Sequence, residues 1–165
     1  MTVYFLEYSI ITAFAKGMQD KMHQKYPDLY NEGYLRVKGF NDIIQFSYQF
    51  GVFISRSSLK YVKIERVWIL TLFQALNFVV LFANALFLFC DNIYIISPFI
   101  VWVGLMGGGS YVNVLHGIRE LKTLKPNELE SAMSLSLLFN DTGILFAATF
   151  SIIVQNTILK VDLPK

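Results

Sequence analysis

Two carboxylates stand inside long apolar stretches of this sequence: Glu7, within Met1 to Ala15, and Asp141, within Ser131 to Leu159. If those stretches lie in hydrocarbon, an ionised group near the centre costs roughly 2.5–3.5 kcal/mol on insertion scales, so it faces a protein interior or a water-filled path. There it can hold a proton or a cation, or line a polar cavity. The plainer reading is a carboxylate kept for packing alone, held in the case of Asp141 by Asn140, Thr142 or a neighbouring helix. Asn140-Asp141-Thr142 also fits a glycosylation sequon, a use that its depth argues against.

Uncharged polar residues recur at helical spacing. Gln74, Asn77 and Asn84 share one stripe of a helix; interhelical hydrogen bonds or a polar cavity would each account for it. Asn113 and His116, three apart, share a face, and His116 has the chemistry of a proton relay. A single histidine is more often a satisfied hydrogen-bonder. With His23 far away, no metal set is expected. Gly107-Gly108-Gly109 costs about 1 kcal/mol per glycine against alanine in a helix. Close helix packing is the favoured compensation, with local unwinding around a ligand as the alternative. Enzyme signatures are absent: no Gly-x-Ser-x-Gly elbow, no His-Glu-x-x-His and no dinucleotide fingerprint appears. Neither catalysis nor a cofactor is expected.

The elements that must position these residues are set by composition. Of 165 residues, 55% are hydrophobic and only 16% charged, where soluble domains carry roughly 25% charged. Val67 to Cys90 and Asn92 to Ile118 contain no Asp, Glu, Lys or Arg, and Ser131 to Leu159 contains only Asp141. Each is long enough to cross ~30 Å of hydrocarbon as a helix. Two weaker segments join them. Residues 1–15 read as the later part of a longer span, and 40–55 as a short span, with an interfacial helix as its alternative. The expectation is an all-α integral membrane domain over 1–165 with about five transmembrane helices, at 1–15, 40–55, 67–90, 93–118 and 131–159, and a polar loop at 16–38. Pro98 falls inside the fourth.

Basic residues divide evenly between alternate loops, but the short basic loops, Arg56 to Arg66 and Arg119 to Glu130, weigh most in the positive-inside rule and are placed in the cytosol. A net charge of +2, scattered over loops, gives no footprint for nucleic acid. Cys90 is the one cysteine, so no internal disulfide can form. The partner implied is the lipid bilayer.

Tyr48-Gln49-Phe50-Gly51-Val52-Phe53-Ile54-Ser55-Arg56-Ser57-Ser58-Leu59 closely resembles the battenin family of lysosomal and vacuolar membrane proteins. Val3 to Tyr8, Gln74 to Asn77, Tyr111 to His116 and Asp141 to Gly143 fit the same family in order, while Lys16 to Lys38 fits poorly. The resemblance implies the C-terminal half of a major-facilitator-type transporter fold. The N-terminal half, or a second copy of the chain, would then complete it. It further implies lysosomal or vacuolar localisation and a role in luminal pH, basic amino-acid and glycerophosphodiester homeostasis. Glu7, Arg56, Gln74, Asn113, His116 and Asp141 are the family-pattern positions.

The reading is a transporter-type chain moving a small polar solute by alternating access. Glu7, Gln74, Asn113, His116 and Asp141 would lie on the substrate or coupling-ion path, with Arg56 in the conformational cytosolic loop. The alternative is a non-transporting membrane scaffold assembled through Gly107 to Gly109.

Overall fold

The computed structural model describes residues 1–60, 62–121 and 125–160, and the described residues form helices and no strands. Helix α1 (Thr2–Ser9) runs through a π-helical turn (Ile10–Phe14) into α2 (Ala15–Lys25). Short helices α3 (Pro27–Asn31) and α4 (Leu35–Lys38) lead to α5 (Phe40–Ser57), which ends in a 3₁₀ turn at Ser58–Lys60. Three long helices follow: α6 (Trp68–Phe87), α7 (Ile93–Arg119) and α8 (Pro126–Thr157). These three are long and apolar enough to cross a membrane.

The helix that begins at Thr2 does not stop at Ala15. It continues well into the stretch expected as a polar loop, because Ala15, Met18 and Met22 fall on one face and are buried, while Gly17 is buried against Leu159. Lys16 and Asp20, four apart on its outer side, pair at 2.6 Å. Pro27 ends it, since the residue before a proline is driven out of the helical region, and Tyr26 sits at φ −132°, ψ 63°.

Contacts fix how the helices run. Tyr48 meets Glu7 and Gln45 meets the Ile11 carbonyl, so α5 runs against α1. Ser47 meets Ser97 and Ser55 meets the Leu105 carbonyl, so α7 runs with α5. Phe14 packs on Phe78 and Phe82, and Asn84 donates to Met18 Sδ at 3.0 Å, so α6 runs with α1 and α2. Thr12 meets Ser151 at 2.6 Å, and Gly17 lies against Leu159, so α8 also runs with α1 and α2. The α1–α2 rod, α5, α6, α7 and α8 therefore alternate in direction along the chain.

The tightest seam is between α5 and α7, where Gly51 lies on the Val101 carbonyl and Gly104 on the Tyr48 carbonyl. Small residues let two backbones approach, and van der Waals contact holds helices together where lipid removes the hydrophobic drive. Outward faces carry large apolar side chains, including Phe46, Phe50 and Phe53 on α5, Leu72, Leu76 and Val79 on α6, and Leu138, Leu145 and Ile152 on α8. A bilayer is the solvent that suits such a surface.

Candidate functional site

Glu7 is 1% exposed, at the junction of α1, α5 and α7. Tyr48 Oη donates to its Oε1, while Oε2 has no hydrogen-bond partner. Gly107 lies directly against the carboxylate, leaving no space there for a Cβ. A buried carboxyl with one oxygen satisfied and one orphaned is costly to keep.

Above Glu7 lies an aromatic layer. Tyr4 stacks on Tyr8 with ring centroids 6.2 Å apart and meets Tyr111 edge-on at 6.5 Å. The Arg56 guanidinium covers the Tyr111 ring at 4.5 Å, a cation–π contact that anchors the end of α5 to α7. Tyr4 and Tyr111 also line a cleft of about 500 Å³ between α1, α6, α7 and α8, with Thr71, Ser110, Ser136 and Asn140 among its polar walls.

Gln74 is fully buried on α6; its Nε2 has no partner, and its Oε1 receives a long contact of 3.4 Å from Asn77. Asn84, in the same stripe, closes the α6–α7 turn instead: its Oδ1 accepts from Cys90 N at 2.8 Å and its Nδ2 donates to the Cys90 carbonyl at 2.9 Å. That clasp holds Leu88 at φ 46°, a left-handed position a leucine seldom takes.

The other candidates are dispersed. Asn113 Oδ1 accepts from Ile64 N at 2.7 Å and its Nδ2 donates to the Gly109 carbonyl at 2.8 Å, tying the α5–α6 connection to α7. His116, one turn on, is half-buried with Nδ1 3.8 Å from Glu120 Oε1. Asp141 is exposed, and its side chain makes no hydrogen bond or ion pair among the described residues. Gly143 packs on the backbone of Met1, so Asp141 sits level with the first turn of α1. That is the Arg56 end of the bundle, about eight residues or ~12 Å from the level of Glu7. Of the glycine run, Gly107 faces Glu7, while Gly108 and Gly109 face Val52 and Ser55 of α5. No group of three metal-ligating side chains occurs among the described residues.

The opposite end carries a polar clasp. Lys25 Nζ and Tyr26 Oη both bond Asp91 Oδ2, at 2.7 and 2.9 Å, and Lys21 donates to the Leu86 carbonyl. Hydrogen bonds from Lys25 and then Tyr26 hold the Asp91 carboxyl below the usual carboxylate range, and Asp91 raises the Lys25 ammonium above its ordinary value.

The family model described as CLN3 protein matches residues 1–161. The chain belongs to this family. Battenin of Dictyostelium discoideum is 33% identical over 163 residues, covering 99% of this chain and 37% of that protein. Protein BTN1 of Eremothecium gossypii is 30% identical over 155 residues, covering 93% and 36%. Battenin of Canis lupus familiaris is 40% identical over 100 residues, covering 61% and 22%. The chain thus spans about a third of the length of the curated relatives it matches. No solved structure matches it. As a member of the CLN3 family, with several apolar helices, the chain belongs to a multi-pass lysosomal or vacuolar membrane protein.

Tyr48, Tyr4 and Tyr111 escaped the sequence reading as site residues. Tyr48 carried a usable signal: aromatic belts place tyrosine at membrane interfaces, yet Tyr48 stands in the middle of its apolar segment. A phenol at that depth needs a buried acceptor.

Proposed function

We propose that the chain supplies the C-terminal half of a battenin-like transporter, moving a small polar solute across the lysosomal or vacuolar membrane by alternating access. One observation carries this reading. A cleft lined by Tyr4, Thr71, Tyr111, Ser136 and Asn140 lies toward the Arg56 end of the bundle, while the opposite end is clasped by Lys25, Tyr26 and Asp91. A path open on one side and closed on the other is the geometry alternating access requires.

The alternation of helix directions supports five crossings, with the α1–α2 rod and α5 as the two shorter ones. At 1.5 Å per residue, the 18 residues of α5 reach about 27 Å. The Arg56 end would face the cytosol and the Asp91 turn the lumen. One wall of the cleft is the inner side of α8, whose outer residues Asp141 and Ser134 stand exposed. An N-terminal half, or a second copy of the chain, would close over them, with Asp141 facing the solute path and not lipid. The solute would be a basic amino acid or a glycerophosphodiester, and the physiological result a contribution to luminal pH balance.

The test is flux from acid-loaded proteoliposomes containing the complete protein, using radiolabelled arginine, lysine and a glycerophosphodiester. Ser136→Trp, which fills the cleft, should lower flux at least tenfold with the protein still folded, and Asp141→Asn should abolish its pH dependence. Flux indifferent to Ser136→Trp, or no flux of any of these solutes, overturns the reading.

A further inference from the structure

Two buried polar atoms without a hydrogen-bond partner are chemical complements. Glu7 Oε2 is an acceptor with no donor, and Gln74 Nε2 is a donor with no acceptor. Contacts above and below set their register. Toward the Arg56 end, Tyr4 of α1 and Thr71 of α6 line the same cleft. Toward the other end, Phe14 packs between Phe78 and Phe82, and Met18 meets Asn84. Three residues on from Tyr4 is Glu7, and three on from Thr71 is Gln74, on helices that run in the same direction. Gln74 is 0% exposed, and α6 packs on α1 and α7, two of the three helices that meet at Glu7.

We propose that Glu7 and Gln74 form one buried proton-binding site across the α1–α6 seam, with Glu7 Oε2 as the atom that takes the proton. The proton arrives from the polar cleft behind Tyr4 and leaves the same atom as H⁺, so nothing is oxidised or reduced. A primary amide suits both states, because it offers two N–H donors and a carbonyl acceptor. With Glu7 ionised, Tyr48 donates to Oε1 and the Gln74 amide donates to Oε2. With Oε2 protonated, its O–H donates to the Gln74 carbonyl once the amide turns over, which releases the long contact from Asn77.

A metal cation is a poor occupant. Hard cations take about six oxygens, whereas here the Cα of Gly107 fills the space beside the carboxylate and the remaining neighbours are one phenol and one amide. The titratable and charged groups around Glu7 are Tyr4 and Tyr8 on its own helix, Tyr48 and Arg56 from α5, Tyr111 from α7 and the exposed Asp141 from α8; α6 contributes the neutral Gln74. Arg56 is the one cation among them. The role of this site as the coupling site for solute movement rests on the transport reading above; the binding of the proton does not.

Infrared difference spectroscopy of the complete purified protein, titrated from alkaline to acid pH, tests it. The wild type should show a protonated-carboxyl C=O band characteristic of an apolar environment, and Glu7→Gln should lose that band. Gln74→Leu should displace the pH midpoint of the band while the protein still elutes as a folded species. If Gln74→Leu fails to fold, Gln74→Asn, which retracts the amide by one methylene, should displace it in the same way. A wild type without the band, a band that survives Glu7→Gln, or a midpoint unmoved by the Gln74 variants overturns the proposal. A normal band in a protein that moves no solute would refute the transport reading and leave the proton site standing.

Discussion

A methyl group added to Gly104 of α7 would lie 3.2 Å from the Cα of Gly51 on α5, and would overlap the Tyr48 carbonyl outright. Both obstacles are backbone, so neither can swing aside. The α5–α7 seam therefore depends on hydrogen at these two positions. Gly104→Ala should force the helices apart and destabilise the protein by about 1–3 kcal/mol, the usual cost of overpacking. Thermal unfolding in detergent should show the loss. Gly117→Ala on the same helix meets nothing within 4 Å and should leave the transition unmoved or raise it.

Gly107 presents a different obstacle, since a Cβ there would strike the flexible end of Glu7 and not a helix backbone. Gly107→Ala should displace the carboxylate from Tyr48 with a smaller effect on unfolding than Gly104→Ala. In the double variant Gly107→Ala with Glu7→Ala, the clash has no partner. A double-mutant cycle should therefore give a coupling above roughly 0.5 kcal/mol, the threshold for residues in contact. Additive effects would place Glu7 elsewhere.

The Lys25–Asp91–Tyr26 clasp has a pH window that follows from its shifts. Asp91 is held below the usual carboxylate range, so its contribution is present above ~pH 4 and is lost as pH falls through its lowered folded-state value. Lys25 is raised, so its contribution is complete below ~pH 10 and is lost only as pH rises through the raised value. Across the range between, the clasp stays closed. The protection of amides at Leu88 to Asn92, relative to their intrinsic exchange rate at each pH, should be equal at pH 5 and pH 7, and lower at both in Asp91→Asn. A clasp that opened between those pH values in the wild type would refute the assignment.

The three long apolar runs were legible because nothing but hydrocarbon tolerates such stretches, and α6, α7 and α8 follow them closely. The extension of the first helix through Lys25 was not legible, because its charged side hides a narrow stripe of Ala15, Met18 and Met22 that acquires meaning only once Asn84 and Leu159 are beside it. Intramembrane charge pointed to Glu7 by composition, yet its surroundings come from α5 and α7, at separations of forty to a hundred residues that no local pattern encodes. Asp141 illustrates the converse. Its place in the middle of an apolar run implied depth, but the length of α8 lets that middle sit near the Arg56 end.

The π-helical turn at Ile10–Phe14 also depends on distant partners. Widening the helix by one residue per turn frees carbonyls from the regular ladder, and two of them are met from outside: Gln45 of α5 donates to the Ile11 carbonyl at 2.7 Å, and Gln155 of α8 to the Thr12 carbonyl at 2.9 Å. Both glutamines bridge the rod of α1 and α2 to a neighbour running in a different part of the chain, at the point where a hinge would act. Removing either donor deletes a bond between helices, at about 0.5–1.5 kcal/mol. Gln45→Leu and Gln155→Leu should each lower the unfolding temperature by several degrees. Asn156→Leu, which deletes only an exposed bond to the Ile152 carbonyl of its own helix, should not. If the turn is the hinge on which α1 moves against α2, the two glutamine variants should also raise amide exchange between Ile10 and Ala15 while leaving Met18 to Met22 of α2 protected. Uniform loosening of the whole rod would show instead that the glutamines hold the helix and not the hinge.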